Sequence, residues 1–171
     1  MRLGKLTTRF QQALAEGQSL ALGRDTPSLE PVHVMQVLMG EEAGTTCHLL
    51  TQVGADITQL RVQLGELLDR LPRVEDTGGE IQMSGDLGRV LNLTDKFAQK
   101  RGDQFISSEL FLLAAIEGIR GLGNLLTDSG IVPERLEKAI DSIRGGHNVD
   151  DPNAEEHRQA LEKYSIDLTE R

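Results

Sequence analysis

The sequence predicts an all-α fold, with two pseudo-twofold related four-helix repeats forming one bundle and a linker helix at the C-terminal end. Three observations predict it. First, the chain says nearly the same thing twice. Leu14, Leu20, Ala21, Leu29, Met35, Leu38 and Met39 recur as Leu91, Phe97, Ala98, Ile106, Leu112, Ala115 and Ile116. A one-residue deletion then shifts the register, and Leu49, Leu50, Gly54, Leu60, Leu64 and Leu67 recur as Leu125, Leu126, Gly130, Leu136, Ile140 and Ile143. Two copies of so long a unit make a folded-back bundle rather than a solenoid, which needs three or more short units. Second, apolar residues fall at helical spacing, and no stretch reads as a strong strand. Third, hydrophobic residues make up 38% of the chain but aromatics only 3%, with no Trp. The core must come from Leu, Ile, Val, Ala and Met, which suits helix packing.

The first helix is expected from Thr7 to Leu22, with Phe10, Ala13, Leu14, Gly17 and Leu20 on one face. Thr8 with Gln11 can form a capping box, Thr7 is a competing N-cap, and Gly23 is the stop. Pro31 opens the second helix, where its missing N–H costs nothing, and Gly40 closes it. A short third helix runs from Cys47 to Val53 and ends at Gly54. Asp56 caps the fourth, whose stripe is Ile57, Leu60, Leu64, Leu67 and Leu68; Leu71-Pro72 ends it, because the residue before proline avoids helix geometry.

Residues 72–83, with Thr77-Gly78-Gly79 at their centre, read as a linker. The plan then repeats: a helix from Ser84 to Arg101 closed by Gly102, one capped by Ser107 to about Ile116, a short one ending at Gly130, and a last one from Pro133 to Arg144 broken by Gly145-Gly146. The domain is thus expected over 1–146, with repeats at about 1–71 and 84–146. Residues 147–171 form a different, polar region. Its helical stretch, Ala154 to Tyr164, has a narrow apolar stripe and is marginal alone.

The formal net charge is −9, a poor match for nucleic acid or an anionic membrane, both of which need clustered Lys and Arg. Asp150, Asp151, Glu155 and Glu156 read as a solvated linker face. A single cysteine, Cys47, excludes an intramolecular disulfide and fits a reducing compartment. Neither a signal core nor an apolar run of spanning length is present, so a cytoplasmic location is expected.

The motifs of catalysis are missing. There is no phosphate loop, and Gly121-Leu122-Gly123 lacks the third glycine and preceding strand of a dinucleotide fingerprint. His33, His48, His147 and His157 have no helical zinc spacing, and Cys47 and His48, being adjacent, point about 100° apart on a helix. His33 aligns with Leu110 in the repeat, which suggests a half-buried packing position. Glu41-Glu42 and Glu155-Glu156 read as exposed helix-end charges. Asp103 sits in the loop after a helix and Glu109 in the first turn of the next, where it favours the helix dipole, a wholly structural explanation. They could also ring an apolar groove and meet a bound chain. Leu93 falls off the core face made by Leu87, Val90, Leu91 and Phe97; alone it would need no explanation, whereas several such residues near Leu110 and Phe111 would make a patch that does.

These residues match a family. The helix starts Glu30-Pro31-Val32-His33-Val34-Met35 and Ser107-Ser108-Glu109-Leu110-Phe111-Leu112 resemble the double Clp N-domain repeat. Gln18-Ser19-Leu20-Ala21-Leu22-Gly23, Ala98-Gln99-Lys100-Arg101-Gly102-Asp103 and the tail Gln159-Ala160-Leu161-Glu162-Lys163-Tyr164 are similar to the bacterial Hsp100 disaggregases. Gly4, Phe97 and the loop from Glu41 to Cys47 depart from the family pattern.

The resemblance implies the mobile, substrate-capturing N-terminal domain of a hexameric AAA+ ATPase that works with the DnaK chaperone system. The domain itself would be monomeric and non-catalytic and would bind unfolded or aggregated polypeptides. It would need no cofactor, ATP and Mg belonging to the full-length protein, and residues 147–171 would lead toward the first ATPase module. The resemblance also implies a substrate role for Thr7, Asp103 and Glu109, and an apolar groove made by Leu14, Leu93, Phe97 and Leu110. The rival expectation is an adaptor-docking N-domain of a Clp unfoldase, led by polar contacts and therefore weakened by salt.

Overall fold

The computed structural model describes residues 3–40, 45–74 and 81–155. Thr77-Gly78-Gly79, Glu41-Glu42, Glu156, His157 and most of the expected linker helix lie outside the described residues. A short 3-10 turn, Leu3–Lys5, leads into α1, Thr8–Gly23. Thr7 is its N-cap, and its hydroxyl accepts the Phe10 N–H at 3.2 Å. The helix ends at Gly23 as expected, but the glycine is its last helical residue rather than a left-handed cap. The chain runs on to Arg24, and Asp25 takes the left-handed conformation (φ 57°) that Asp tolerates better than most residues.

The remaining elements are α2 Pro31–Met39, α3 Thr45–Gln52, α4 Ile57–Arg70, α5 Gly85–Arg101, α6 Ser108–Gly118, α7 Arg120–Asp128 and α8 Pro133–Arg144. Asp56 and Ser84 cap α4 and α5 through their side chains, accepting the Gln59 and Leu87 N–H groups. Gly102 (φ 77°) and Gly145 (φ 57°) close α5 and α8. His33 is fully buried rather than half-buried. Its Nδ1 accepts the Glu30 N–H at 2.9 Å, so the imidazole closes the start of α2.

The duplication is visible in space. α1 packs on α2 as α5 packs on α6, and the halves meet through α2 with α5, α3 with α6 and α8, and α4 with α7. Helix α6 is buried on every side from Ser108 to Ala115, so it forms the centre of the bundle. At the other end of α6, Gly123 of α7 lies so close that a Cβ there would stand 2.4 Å from the Ile116 carbonyl oxygen.

Two short strands, β1 Ser28–Leu29 and β2 Gln82–Met83, pair in parallel and were not legible as strands. Leu29 pairs with Met83, and Leu6 makes an isolated parallel bridge to Ile106. The repeat register relates Leu6 to Met83 and Leu29 to Ile106, so these pairings are symmetry mates. In each, the lead-in to one repeat's first helix pairs with the lead-in to the other repeat's second helix.

Residues 147–155 return to the bundle as a strap. Val149 is buried, its carbonyl accepts the Gln104 and Phe105 N–H groups at 2.9 and 3.0 Å, and the Pro152 carbonyl accepts the Thr8 N–H at 2.8 Å.

Candidate functional site

Three expected site residues converge. Thr7 at the start of α1, Asp103 in the α5–α6 loop and Glu109 in the first turn of α6 belong to one buried polar network. Its hub is Arg144, the last residue of α8. Arg144 Nε donates to Glu109 Oε1 at 2.9 Å, Nη1 to both Asp103 oxygens at 3.1 and 2.9 Å, and Nη2 to Ser107 Oγ at 3.0 Å. Ser107 therefore stands at the N-cap position of α6 with its hydroxyl turned to Arg144, and makes no side-chain cap bond. Asp103 Oδ1 also accepts the Val149 N–H at 3.0 Å.

The second half of the network belongs to Glu155. Its carboxyl accepts the Ser108 N–H at 3.2 Å and is hydrogen-bonded by the hydroxyls of Thr7 and Ser108. Glu155 is 2% exposed, which overturns its expected place on a solvated face. Burial pushes its carboxyl above the usual carboxylate range. The neighbouring charge of Glu109 adds to this, and hydrogen bonds from Ser108 and Thr7 act against it.

This arrangement joins helix starts, a helix end and the strap. A chain bound at the surface would not touch Thr7, Asp103 or Glu109, which are 0%, 5% and 1% exposed. The structural reading of the two acids therefore fits the geometry, and the ringed-groove alternative does not. Arg144, Ser107, Ser108 and Glu155 were missed as partners. The only signal for Arg144 was a cation in the last turn before Gly145, which helix-dipole pairing already explains.

The apolar residues separate into two kinds. Leu110 is fully buried, so it cannot line a surface groove as expected; it belongs to the all-round apolar face of central α6. Leu14, Leu93 and Phe97 are half-buried against the core. Phe97 lines a groove of about 660 Å³ with Lys100, Arg101, Leu113, Glu137 and Asp141. At the seam between the repeats, a second cleft of about 410 Å³ has apolar walls from Pro31, Val32, Leu67, Leu71, Ile119 and Leu122, with Glu30 and Asp86 also lining it. Leu14, on α1, lines neither opening.

Helix α5 connects these openings. Asp86, Leu93 and Phe97 are spaced by seven and four residues, which keeps them within about 40° of one another around the axis over roughly 16 Å. Leu93, packed near Gly118, thus lies on the face that leads from the seam cleft to the Phe97 groove. Among the described residues no single helix is long and apolar enough to cross a membrane.

Comparison with known proteins agrees with this architecture. The family model of the Clp repeat (R) N-terminal domain matches residues 5–129. The chaperone protein ClpB of Vibrio cholerae is 54% identical over 171 residues, covering 100% of this chain and 20% of that protein. The chain therefore spans about a fifth of the length of the curated relatives it matches. The crystal structure of the Hsp104 N-terminal domain from Candida albicans superposes with a TM-score of 0.78 at 18% identity, covering 88% of this chain and 99% of that one. A complex of a ClpV N-domain with a VipB peptide superposes with a TM-score of 0.67 at 21% identity, covering 81% and 86%.

Proposed function

Because the chain belongs to the Clp repeat N-terminal domain family, we propose that it captures exposed apolar segments of unfolded or aggregated polypeptides for an ATP-dependent disaggregase chaperone. The observation that carries this reading is the half-buried strip on α5, with Leu93 and Phe97 between two openings. The strip is apolar in the middle, has charged groups at its ends, and stands on a rigid helix. A client Leu or Phe side chain buried there would gain about 1.5–3 kcal/mol before ordering costs, so single contacts stay weak. Weak capture suits a device that must hand its client on, and several copies in a ring would restore efficiency by avidity. The ClpV N-domain solved with a VipB peptide supports peptide capture by this fold. In this reading the full-length protein supplies the ATPase, the hexameric ring and the link to the DnaK system, and the domain only binds.

The test is an NMR titration of the chain with an unfolded protein. Shifts centred on Leu93, Phe97 and the seam cleft, persisting in raised salt, are the expected result. Shifts confined to charged surface residues and abolished by salt would favour adaptor docking instead.

A further inference from the structure

The strap and its anchor make a second device, separate from the α5 strip. Val149, Pro152 and Glu155 tie residues 147–155 to one junction. Val149 fills an apolar site and bonds the α5–α6 loop through both its N–H and its carbonyl; Pro152 bonds α1; Glu155 bonds the start of α1 and the start of α6. Of these, only Glu155 brings an ionisable group into the interior. It enters beside two buried carboxylates, Asp103 and Glu109, that already share one guanidinium. The groups that hold the Glu155 carboxyl are two hydroxyls and a backbone N–H rather than a cation, so a negative charge there would stand beside Glu109 without a balancing charge among these partners.

We propose that residues 147–155 form a releasable strap, latched by Glu155 as a neutral carboxyl group held between Thr7 and Ser108 and released when that group ionises. A neutral carboxyl fits the place. It accepts the Ser108 N–H, can exchange hydrogen bonds with both hydroxyls, and adds no charge beside Glu109. The charged groups around it are Glu109 from α6, and beyond that Arg144 from α8 and Asp103 from the α5–α6 loop. The N-terminal segment and α1 bring Lys5, whose ammonium lies over the Phe105 ring, and Arg9; the strap itself brings His147, Asp150 and Asp151. Docking raises the affinity of Glu155 for its proton, so docking is favoured at low pH and weakens as pH rises through the docked pKa.

The experiment is amide hydrogen exchange on the full 171-residue chain from pH 5 to 8, expressed as protection over the intrinsic rate. The reporters are Thr8, Gln104, Phe105 and Val149, whose N–H groups bond the strap or are bonded through it. Their protection should fall with rising pH, by up to about tenfold per unit, between the ordinary carboxylate pKa and the raised docked one and level off above it, while amides within α2 and α6 hold. Glu155→Gln, which keeps the shape and removes the charge, should stay protected throughout. A flat profile in the parent chain, or the same fall in the Gln variant, would overturn the latch. So would a Glu155 carboxyl carbon that titrates in the ordinary range with the strap still protected.

Discussion

Arg144 Nη1 donates to both oxygens of Asp103, and the side chains on either side of this contact are 4% and 0% exposed. The pair closes α8 onto the α5–α6 loop across 41 positions of sequence. The other two nitrogens are engaged as well, Nε by Glu109 and Nη2 by Ser107.

Removing the hub should be costly. Arg144→Ala leaves two buried carboxylates without their cation, and breaking a buried pair in this way destabilises by about 3–5 kcal/mol. A large drop in the urea midpoint, followed by circular dichroism, is expected. Arg144→Lys should recover only part of it, because one ammonium cannot reproduce the planar fork that reaches three side chains.

The two apolar classes predict opposite outcomes for the same substitution. Leu110→Asp places a charge at a fully buried position of central α6 and should unfold the domain. Leu93→Asp and Phe97→Asp alter a half-buried strip and should leave the circular dichroism spectrum intact while weakening the binding of an unfolded client several-fold. A folded Leu93→Asp chain that titrates like the parent would remove the strip from the binding surface.

His33 makes stability depend on pH in the direction opposite to Glu155. Burial, reinforced by the Arg24 guanidinium, holds the imidazole below its ordinary value of 6.5. Nδ1 already accepts the Glu30 N–H, so the proton of the neutral ring sits on Nε2, and charging the ring sacrifices that bond. The unfolded chain takes up the proton first. The stabilising contribution is therefore complete above pH 6.5 and declines as pH falls toward the lowered folded value. Urea titrations at pH 7.5 and 5.5 should show a loss in the parent that shrinks in His33→Leu.

Gly123→Ala tests the contact between α6 and α7. Its Cβ would meet the Ile116 carbonyl at 2.4 Å, a backbone atom that cannot step aside. A loss of about 1–3 kcal/mol in thermal or urea unfolding is expected, although alanine is the better helix former.

Most helix boundaries were readable because they rest on local chemistry: a cap such as Asp56 or Ser84, a proline at Pro31 or Pro133, a left-handed glycine at Gly102 or Gly145. The polar network was not, because Thr7 and Glu155 are 148 residues apart and periodicity does not encode which polar groups meet. Ser107 illustrates the limit: its position at the head of α6 was readable, but its hydroxyl serves Arg144. Leu110 was misplaced although a signal existed. The run from Leu110 to Ala115 has no polar face, and such a helix is central rather than superficial.

The exchanged pairings, Leu6 with Ile106 and Leu29 with Met83, carry a consequence for how the molecule holds together. Each half contributes one lead-in segment and receives one, so half the chain alone would have two strand edges and no mate for either. Two separate copies of such a half would brace one another as a symmetric dimer, and that brace would dissolve on dilution. Carrying both copies on one polypeptide makes it independent of concentration and ties the fates of the halves together, so they should melt in a single cooperative step.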